Sequence, residues 1–311
     1  MRAFIFPGQG SQAVGMGKAL AEASAVAREV FQEVDDALGQ HLFRLMTEGP
    51  AEDLMLTENS QAAIMANAIA TLRVLEKEGG IRLADKADYV AGHSLGEYTA
   101  LCAAGALDLP TTALLLKHRG LAMQAAVRVG EGALAALLGA DLEKARIIAN
   151  AASEGEICTV ANDNDPSQVV LSGAKGAIDR VIAIAKEFGA KKAVLLPVSA
   201  PFHCALMQPA ADAMEKALAE ARIDAPLVPV FANVTASPVG DPDTIRRLLV
   251  EQVTGMVRWR ESVLAMADTG VERFVEFGAK VLTAMVKRTA ADVDTMSVVT
   301  MADIEALAKS L

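Results

Sequence analysis

A serine with glycines on both sides lies at residues 92–96 (Gly-His-Ser-Leu-Gly), between a predicted strand at 88–91 and a helix that we expect to begin at Glu97. This pattern is typical of the nucleophile elbow, a strand-to-helix turn too tight for flanking side chains. The hydroxyl of Ser94 then stands clear at the start of the helix. The backbone N–H of Leu95 points toward the same space, as half of an oxyanion hole. So short a pattern also occurs by chance. The prediction of a nucleophile elbow therefore depends on its position between a strand and a helix.

Strands and helices alternate in the first and last parts of the chain. Short buried strands are predicted at residues 3–6, 88–91, 228–232 and 273–276, and stretches with helical periodicity separate them. Alternation of this kind favours a mainly parallel sheet with helices packed on its faces. We therefore predict an α/β fold, with the serine elbow at the end of one strand.

The middle of the chain has a different order of elements. Its predicted strands are residues 133–139, 158–161, 168–172 and 192–198, and its predicted helices are residues 141–153 and 177–188. The turn-rich residues 162–166 (Asn-Asp-Asn-Asp-Pro) join the second and third strands. The resulting order, βαββαβ, is the ferredoxin-like unit. We therefore predict an inserted subdomain at residues 128–198, with residues 1–127 and 199–311 forming the core.

The composition indicates a soluble globular protein and excludes several classes of function. Apolar residues make up 52% of the chain and charged residues 22%, which is typical of a folded domain. The net charge of −10 argues against a general nucleic-acid binder, because such a protein needs a basic stripe. No apolar run approaches the ~18 residues of a membrane span. The apolar run before Pro7 is also too short for a signal peptide.

The cysteines point to a reducing compartment. Cys102, Cys158 and Cys204 are far apart, and their spacing is not that of metal ligands. We therefore expect a cytoplasmic protein without a metal or a cofactor. No exposed apolar stripe stands out in the sequence, so we expect a monomer.

An elbow serine needs a general base, and the chain has four histidines. His41 lies in a polar segment between helices and His118 lies beside basic residues in a helix, so both are expected at the surface. His93 is part of the elbow, where its side chain should point away from the serine. His203 follows a predicted strand, where catalytic residues of α/β sheets collect. His203 is the candidate base, although a structural histidine is an equally good interpretation of these residues alone.

A second glycine pattern suggests a nucleotide site but does not fit one. Residues 8–13 (Gly-Gln-Gly-Ser-Gln-Ala) match the dinucleotide-binding fingerprint and follow a strand. The fingerprint also requires a second strand that ends in an acidic residue about 20 positions later. That region, residues 18–39, is helical in pattern. We therefore reject a nucleotide site.

Three segments together resemble the malonyl-CoA:acyl carrier protein transacylase family. They are residues 6–12 (Phe-Pro-Gly-Gln-Gly-Ser-Gln), 92–97 (Gly-His-Ser-Leu-Gly-Glu) and 201–203 (Pro-Phe-His). Their order and spacing match the family across essentially the whole chain, up to residues 280–283 (Lys-Val-Leu-Thr). The resemblance implies an α/β-hydrolase-like core with a ferredoxin-like insert, in agreement with the order of elements described above. One departure is visible, because Gly278-Ala279 stands where the family usually has Gly-Pro-Gly, so the loop before the last predicted helix is one residue shorter.

The resemblance also implies a reaction. A malonyl group passes from coenzyme A to the phosphopantetheine thiol of acyl carrier protein, through an ester on the elbow serine, and supplies fatty acid biosynthesis. Ser94 matches the nucleophile and His203 the base, and Gln252 matches the glutamine whose main-chain carbonyl positions the histidine.

Four further residues match substrate-binding or oxyanion positions of the family. The backbone N–H of Gln9 joins that of Leu95 in the oxyanion hole. Arg119 matches the arginine that holds the malonyl carboxylate, a role that suits a guanidinium because two parallel charge-assisted bonds fix the carboxylate. Asn162 matches an asparagine of the insert that faces the cleft.

Two other classes of function are weighed against this one. A serine esterase would share the serine and histidine but would have no use for a buried Arg119. A non-catalytic module that binds carrier proteins would have no need to keep Ser94, His203 and Arg119 together.

The site is expected to work without a catalytic carboxylate. The usual hydrolase order places an acid between the serine and the histidine. Asp108 in that interval looks like a helix cap. Most of the other acids lie in the insert, away from the core sheet: Asp141, Asp163, Asp165, Asp179 and Glu187. We therefore predict a Ser94–His203 dyad.

Overall fold

The computed structural model describes residues 1–198 and 200–311, which form two β-sheets and the helices around them. The strands are β1 (Arg2–Phe6), β2 (Tyr89–Gly92), β3 (Gly132–Leu138), β4 (Cys158–Asp165), β5 (Gln168–Ala174), β6 (Lys192–Leu195), β7 (Val230–Ala232), β8 (Ser237–Val239), β9 (Arg273–Phe277) and β10 (Asp294–Val298). The order in the larger sheet is β10-β9-β1-β2-β7-β8, and the order in the smaller sheet is β4-β5-β3-β6.

The helices cover both sheets. They are α1 (Lys18–Ala23), α2 (Ala25–Leu38), α3 (Leu42–Glu48), α4 (Ala51–Met55), α5 (Thr57–Lys77), α6 (Leu83–Lys86), α7 (Gly96–Ala103), α8 (Leu109–Ala126), α9 (Leu142–Ser153), α10 (Lys175–Ile184), α11 (Gln208–Glu220), α12 (Pro242–Thr254), α13 (Trp259–Asp268), α14 (Leu282–Thr289) and α15 (Met301–Ser310), with a 3₁₀ turn at Ala205–Met207. None of the helices in the described ranges combines the length and the apolar character that a bilayer crossing requires.

The larger sheet is parallel except for β8, which runs antiparallel to β7. Alternate residues of β1 face two different layers of helices. Phe4 and Phe6 belong to the apolar cluster that includes α5 and α8, whereas Ala3 and Ile5 pack in the cluster with Trp259 of α13. Burial on both faces explains why β1 is continuously apolar. The parallel pairing of β1, β2 and β7 brings their carboxyl ends to one edge of the sheet, where the elbow lies.

The smaller sheet is antiparallel throughout. Ala135 and Leu137 of β3 pack in the cluster with α9 and α10, while Leu134 and Ala136 face the core. The strand order and pairing are those of a ferredoxin-like unit, so the predicted α/β fold class with this insert is confirmed. The junction predicted at residue 199 lies outside the described residues, and 128–198 remain the proposed limits of the subdomain.

The turn predicted at residues 162–166 is shorter than expected. Strand β4 continues to Asp165, because its two acidic side chains find partners on the core rather than in the solvent. Asp163 pairs with Arg260 at 2.8 Å, and Asp165 pairs with Arg288 at 2.8 Å, with both carboxylates fully buried. The ion pairs of Asp163 and Asp165 therefore connect the insert to the core.

Other boundaries also differ from the sequence prediction. The region at residues 18–39, described above as helical in pattern, contains two helices. They are separated at Ser24, whose side chain accepts the N–H of Ala27 and caps α2. The helix predicted as the last one, α14, is followed by β10 and α15, which the sequence analysis missed. Gly278, in the shortened loop before α14, has a φ of 85° and accepts a 3.0 Å hydrogen bond from Asn67.

Candidate active site

Ser94 occupies a sharp turn between β2 and α7. Its φ is 54°, in the left-handed region that side chains rarely adopt. The two flanking glycines are required by close backbone contacts. A Cβ on Gly92 would lie 1.8 Å from the carbonyl oxygen of Gly96, and a Cβ on Gly96 would lie 2.3 Å from that of Phe6. The predicted elbow geometry is therefore present.

Asn233 holds this strained turn in place. Its side-chain oxygen accepts the N–H of Ser94 at 2.8 Å, and its side-chain nitrogen donates to the carbonyl of Gly92 at 2.7 Å. The sequence analysis did not select Asn233. It directly follows β7, and the rule that functional residues collect at the carboxyl ends of parallel strands could have found it.

His203 lies against the serine hydroxyl. Its Nε2 is 2.7 Å from Ser94 Oγ, and its Nδ1 is 2.8 Å from the carbonyl oxygen of Gln252 and 3.1 Å from that of Gly255. Carbonyl oxygens only accept hydrogen bonds, so Nδ1 carries the proton and Nε2 is left to accept the proton of Ser94. The structure thus brings together the three residues that the sequence analysis assigned to catalysis.

The surroundings of His203 keep the imidazole neutral. Burial, followed by the positive charge of Arg119, lowers the pKa of His203 to about 3, although the carbonyls of Gln252 and Gly255 oppose this shift. The neutral imidazole is the form of the side chain that can accept the proton of serine. His203 is therefore suited to act as a general base.

The two backbone N–H groups assigned to the oxyanion hole have no acceptor among the described residues. Within the described residues, the N–H groups of Gln9 and Leu95 form no hydrogen bond. Leu95 directly precedes α7, so its N–H is one of the free donors at a helix start. The Gln9 side chain is held by the hydroxyl of Thr57 at 3.0 Å. These two donors are available to a developing oxyanion.

Arg119 lies deep in the site, with only 1% of its surface exposed. It projects from α8, whose N-cap is Asp108 as predicted. One guanidinium nitrogen, Nη2, donates to Ser94 Oγ at 3.2 Å and to the side-chain oxygen of Gln252 at 2.9 Å. The other, Nη1, donates to the side-chain oxygen of Gln61 at 2.8 Å. A buried guanidinium thus lies next to the candidate nucleophile.

A cavity of about 380 Å³ lies in front of these groups, and Gln9, Ser94, Arg119, Asn162, Phe202 and His203 are among the residues that line it. Asn162 reaches the cavity from the insert. Its side-chain oxygen is buried and has no partner within the described part of the chain, so it can accept a bond from a bound molecule.

The other histidines lie largely where the sequence analysis placed them. His41 and His118 are exposed. His93 lines the cavity, but its Nε2 is 2.7 Å from the side-chain oxygen of Asn164 in the insert. Burial lowers the pKa of His93. Its hydrogen bond thus links the elbow to the insert.

Glu97 is a buried carboxylate that the sequence analysis missed. It is 2% exposed and accepts the side-chain N–H of Gln252 at 2.9 Å and the backbone N–H of Asn233 at 3.0 Å. Burial raises the pKa of Glu97 to about 7, against these hydrogen bonds and the charge of Arg119. An acid in the first turn of a helix is easily interpreted as solvated, because the helix dipole favours it there.

We expect every carboxylate between Ser94 and His203 to be dispensable for proton transfer. Among the described residues of this interval, the buried carboxylates are Glu97, Asp163 and Asp165, and none of them accepts a hydrogen bond from the histidine. Asparagine in place of the aspartate of a serine protease triad costs about 10⁴ in rate. Here each change to the amide should cost less than about tenfold in acyl transfer. The decisive variant is Glu97→Gln, and a loss of roughly a thousandfold with the fold intact would identify a missing triad acid.

The same variant should change how stability depends on pH. The pKa of Glu97 is about 7 in the folded protein against an ordinary value of 4.5, so wild-type stability falls through this group as pH rises from 4.5 to 7. Glutamine does not titrate. The free energy of unfolding of Glu97→Gln, relative to wild type, should therefore rise over this interval by at least about 1 kcal/mol.

Urea unfolding midpoints at the two ends of this pH interval measure the effect. Glu143→Gln, at an exposed position, is the matched control for the change from acid to amide and is measured in the same way. A difference between Glu97→Gln and wild type that stays constant with pH would show that the carboxyl group of Glu97 has an ordinary pKa.

Known proteins are similar to this chain in sequence and fold. A family model described as acyl transferase domain matches residues 3–304. The chain is 43% identical over 310 residues to the malonyl CoA-acyl carrier protein transacylase of Escherichia coli (strain K12), which covers 99% of this chain and 98% of that protein.

Two solved structures are also similar. An acyl-carrier-protein-S-malonyltransferase from Bartonella henselae has a TM-score of 0.97 and 50% identity, covering 99% of this chain and 98% of its own. A malonyl-transacylase in complex with its type II PKS acyl-carrier protein has a TM-score of 0.96 and 38% identity, covering 100% of this chain and 99% of its own.

Proposed function

Because this chain belongs to the acyl transferase domain family, we propose that it transfers a malonyl group from malonyl-CoA to the phosphopantetheine thiol of acyl carrier protein, for fatty acid biosynthesis. The position of Arg119 is the observation that supports malonyl as the acyl group. Its buried guanidinium lies 3.2 Å from Ser94 Oγ. In a malonyl ester one methylene separates the acyl carbon from the free carboxylate, so the cation is within reach of that carboxylate.

In the acylation step Ser94 Oγ attacks the thioester carbonyl and its proton passes to Nε2 of His203. The N–H groups of Gln9 and Leu95 stabilise the negative charge on the carbonyl oxygen. The carbon–sulfur bond then breaks, and His203 returns the proton to the departing thiolate of coenzyme A. The product is a malonyl ester of Ser94.

The second half of the reaction reverses these movements. His203 takes the proton of the carrier's thiol while the sulfur attacks the ester carbonyl. The bond to Ser94 Oγ breaks, and the serine recovers its proton from the imidazolium. The carbonyl groups of Gln252 and Gly255 stabilise the imidazolium less than a carboxylate would. A thioester tolerates this weaker support because a thiolate is a good leaving group.

The acyl-enzyme must be protected from water for transfer to exceed hydrolysis. The cavity supports this, because apolar side chains from the core and the insert line much of it, including Met123, Leu134, Leu196 and Val198. The free state of the three buried cysteines fits a reaction in the cytoplasm.

Product partition separates this proposal from its two rivals. The protein is incubated with labelled malonyl-CoA, with and without phosphopantetheinylated acyl carrier protein, and malonyl-carrier and free malonate are measured. We expect malonyl-carrier as the main product. A serine esterase would release free malonate at the same rate with or without the carrier. A binding module would yield neither product.

A further inference from the structure

Among the described residues, no carboxylate contacts the guanidinium of Arg119 directly. All three hydrogen bonds from its guanidinium end on neutral oxygens, those of Gln61, Gln252 and Ser94. Burial lowers the pKa of Arg119, but an arginine keeps its proton in any case. A buried cation is ordinarily paired with a carboxylate. This one is instead held between two neutral amides.

The amide of Gln61 can face the arginine in only one orientation. Its nitrogen donates to the hydroxyl of Thr57 at 3.0 Å, and that hydroxyl in turn donates to the side-chain oxygen of Gln9. The remaining oxygen must therefore point at Arg119. The close packing of α5 on α8 fixes this arrangement, since a Cβ on Gly120 would lie only 2.5 Å from the carbonyl oxygen of Thr57.

Glu97 is a buried carboxylate near Arg119, but the side chain of Gln252 lies between the two groups. Glu97 accepts from the nitrogen of the Gln252 side chain, while the oxygen of the same amide accepts from Arg119. The amide of Gln252 thus stands between the two charges.

We infer that Gln61 is a specificity-determining residue, which holds the Arg119 guanidinium with a neutral acceptor and so leaves its charge free for the carboxylate of the acyl group. This inference rests on the proposed function. Gln61 acts on the arginine through its side chain alone. The side chain of Gln252 also donates to the backbone carbonyl of Ser94 and to Glu97, so a change there would be expected to affect all acyl groups alike.

Glu in place of Gln61 tests the inference, because it keeps the size of the side chain and supplies the counter-ion. A carboxylate at this position would compete with the substrate for Arg119. The ratio of kcat/KM for malonyl-CoA to that for acetyl-CoA should fall by at least about tenfold in Gln61→Glu, the effect expected of one charge-assisted contact.

Two further variants show whether charge is the cause. Gln61→Met removes the acceptor without adding a charge, and its ratio should fall by less than about threefold. Gln32→Glu adds a negative charge at an exposed position of α2 outside this cavity, and its ratio should also stay within about threefold. Circular dichroism and urea midpoints confirm that each variant is folded.

The outcomes are distinct. Equal losses for malonyl- and acetyl-CoA in Gln61→Glu, or the same change of ratio in Gln61→Met, would overturn the inference. If Gln61→Glu does not fold, the affinities of Gln61→Met for the two CoA esters, measured in the Ser94→Ala background, provide the test. A change of their ratio beyond threefold would contradict the inference. Failure of the wild-type protein to form malonyl-carrier would instead contradict the proposed function.

Discussion

Ser94→Ala should form no malonyl adduct with malonyl-CoA, and its rate of transfer to the carrier should fall by more than about a thousandfold. The hydroxyl oxygen is the atom that forms the ester, and no other group takes its place. The turn itself should survive, because Asn233 and Gln252 hold the backbone of residue 94 rather than its side chain. Intact-protein mass spectrometry after mixing with malonyl-CoA measures the adduct.

Ser237→Ala is the matched control for this experiment. Ser237 lies on the edge strand β8, where its hydroxyl bonds to Thr235. Its variant should form the adduct as wild type does. A malonyl adduct on Ser94→Ala would mean that the nucleophile is another residue.

Arg119→Ala should reverse the acyl preference of the enzyme. The lost charge-assisted contact should lower malonyl transfer by roughly tenfold to a hundredfold. An acetyl group never makes this contact and would no longer face an unpaired buried cation, so acetyl transfer should hold steady or rise. Initial rates with malonyl-CoA and acetyl-CoA, at equal carrier concentration, give both values.

The alanine variant also opens space in the core, because Arg119 is among the largest fully buried side chains. Arg119→Met fills most of that space without a charge and should show the same reversal with less loss of stability. Equal losses for both acyl groups in both variants would mean that Arg119 supports the structure and does not select the substrate.

The local features of this site were predictable from the sequence. The elbow around Ser94 is a short-range pattern, and its glycines are required by contacts within the turn and with the neighbouring strand. The family resemblance read from three motifs is confirmed by the match to the acyl transferase domain over residues 3–304. The residue assignments carried over with it, such as those of Gln9 and Arg119, remain proposals that the geometry supports.

The contacts between distant segments were not predictable from periodicity or spacing. Asn233 meets Ser94 across 139 positions of the chain, and Gln252 meets Glu97 across 155. Gln61 appears in the sequence as one polar residue in a helix whose residues are almost all buried. A polar side chain at such a position needs a partner, which is a usable signal, but only the packing of α5 on α8 identifies that partner as Arg119.

The end of the chain was missed for a different reason. Strand β10 is short and partly polar, so it lacks the apolar run by which buried strands are recognised. Helix α15, in contrast, begins with a capping box between Thr300 and Asp303. That signal is present in the sequence and could have been used.

Isolation of the acyl-enzyme tests the central claim most directly. Wild-type protein is mixed with malonyl-CoA, freed of small molecules, and divided between buffer and phosphopantetheinylated acyl carrier protein, and the mass of each species is followed over time. We expect one malonyl group per chain, on the peptide that contains Ser94, stable in buffer and transferred promptly to the thiol of the carrier. An adduct elsewhere, no adduct, or an adduct lost to water equally fast with and without the carrier would contradict the account.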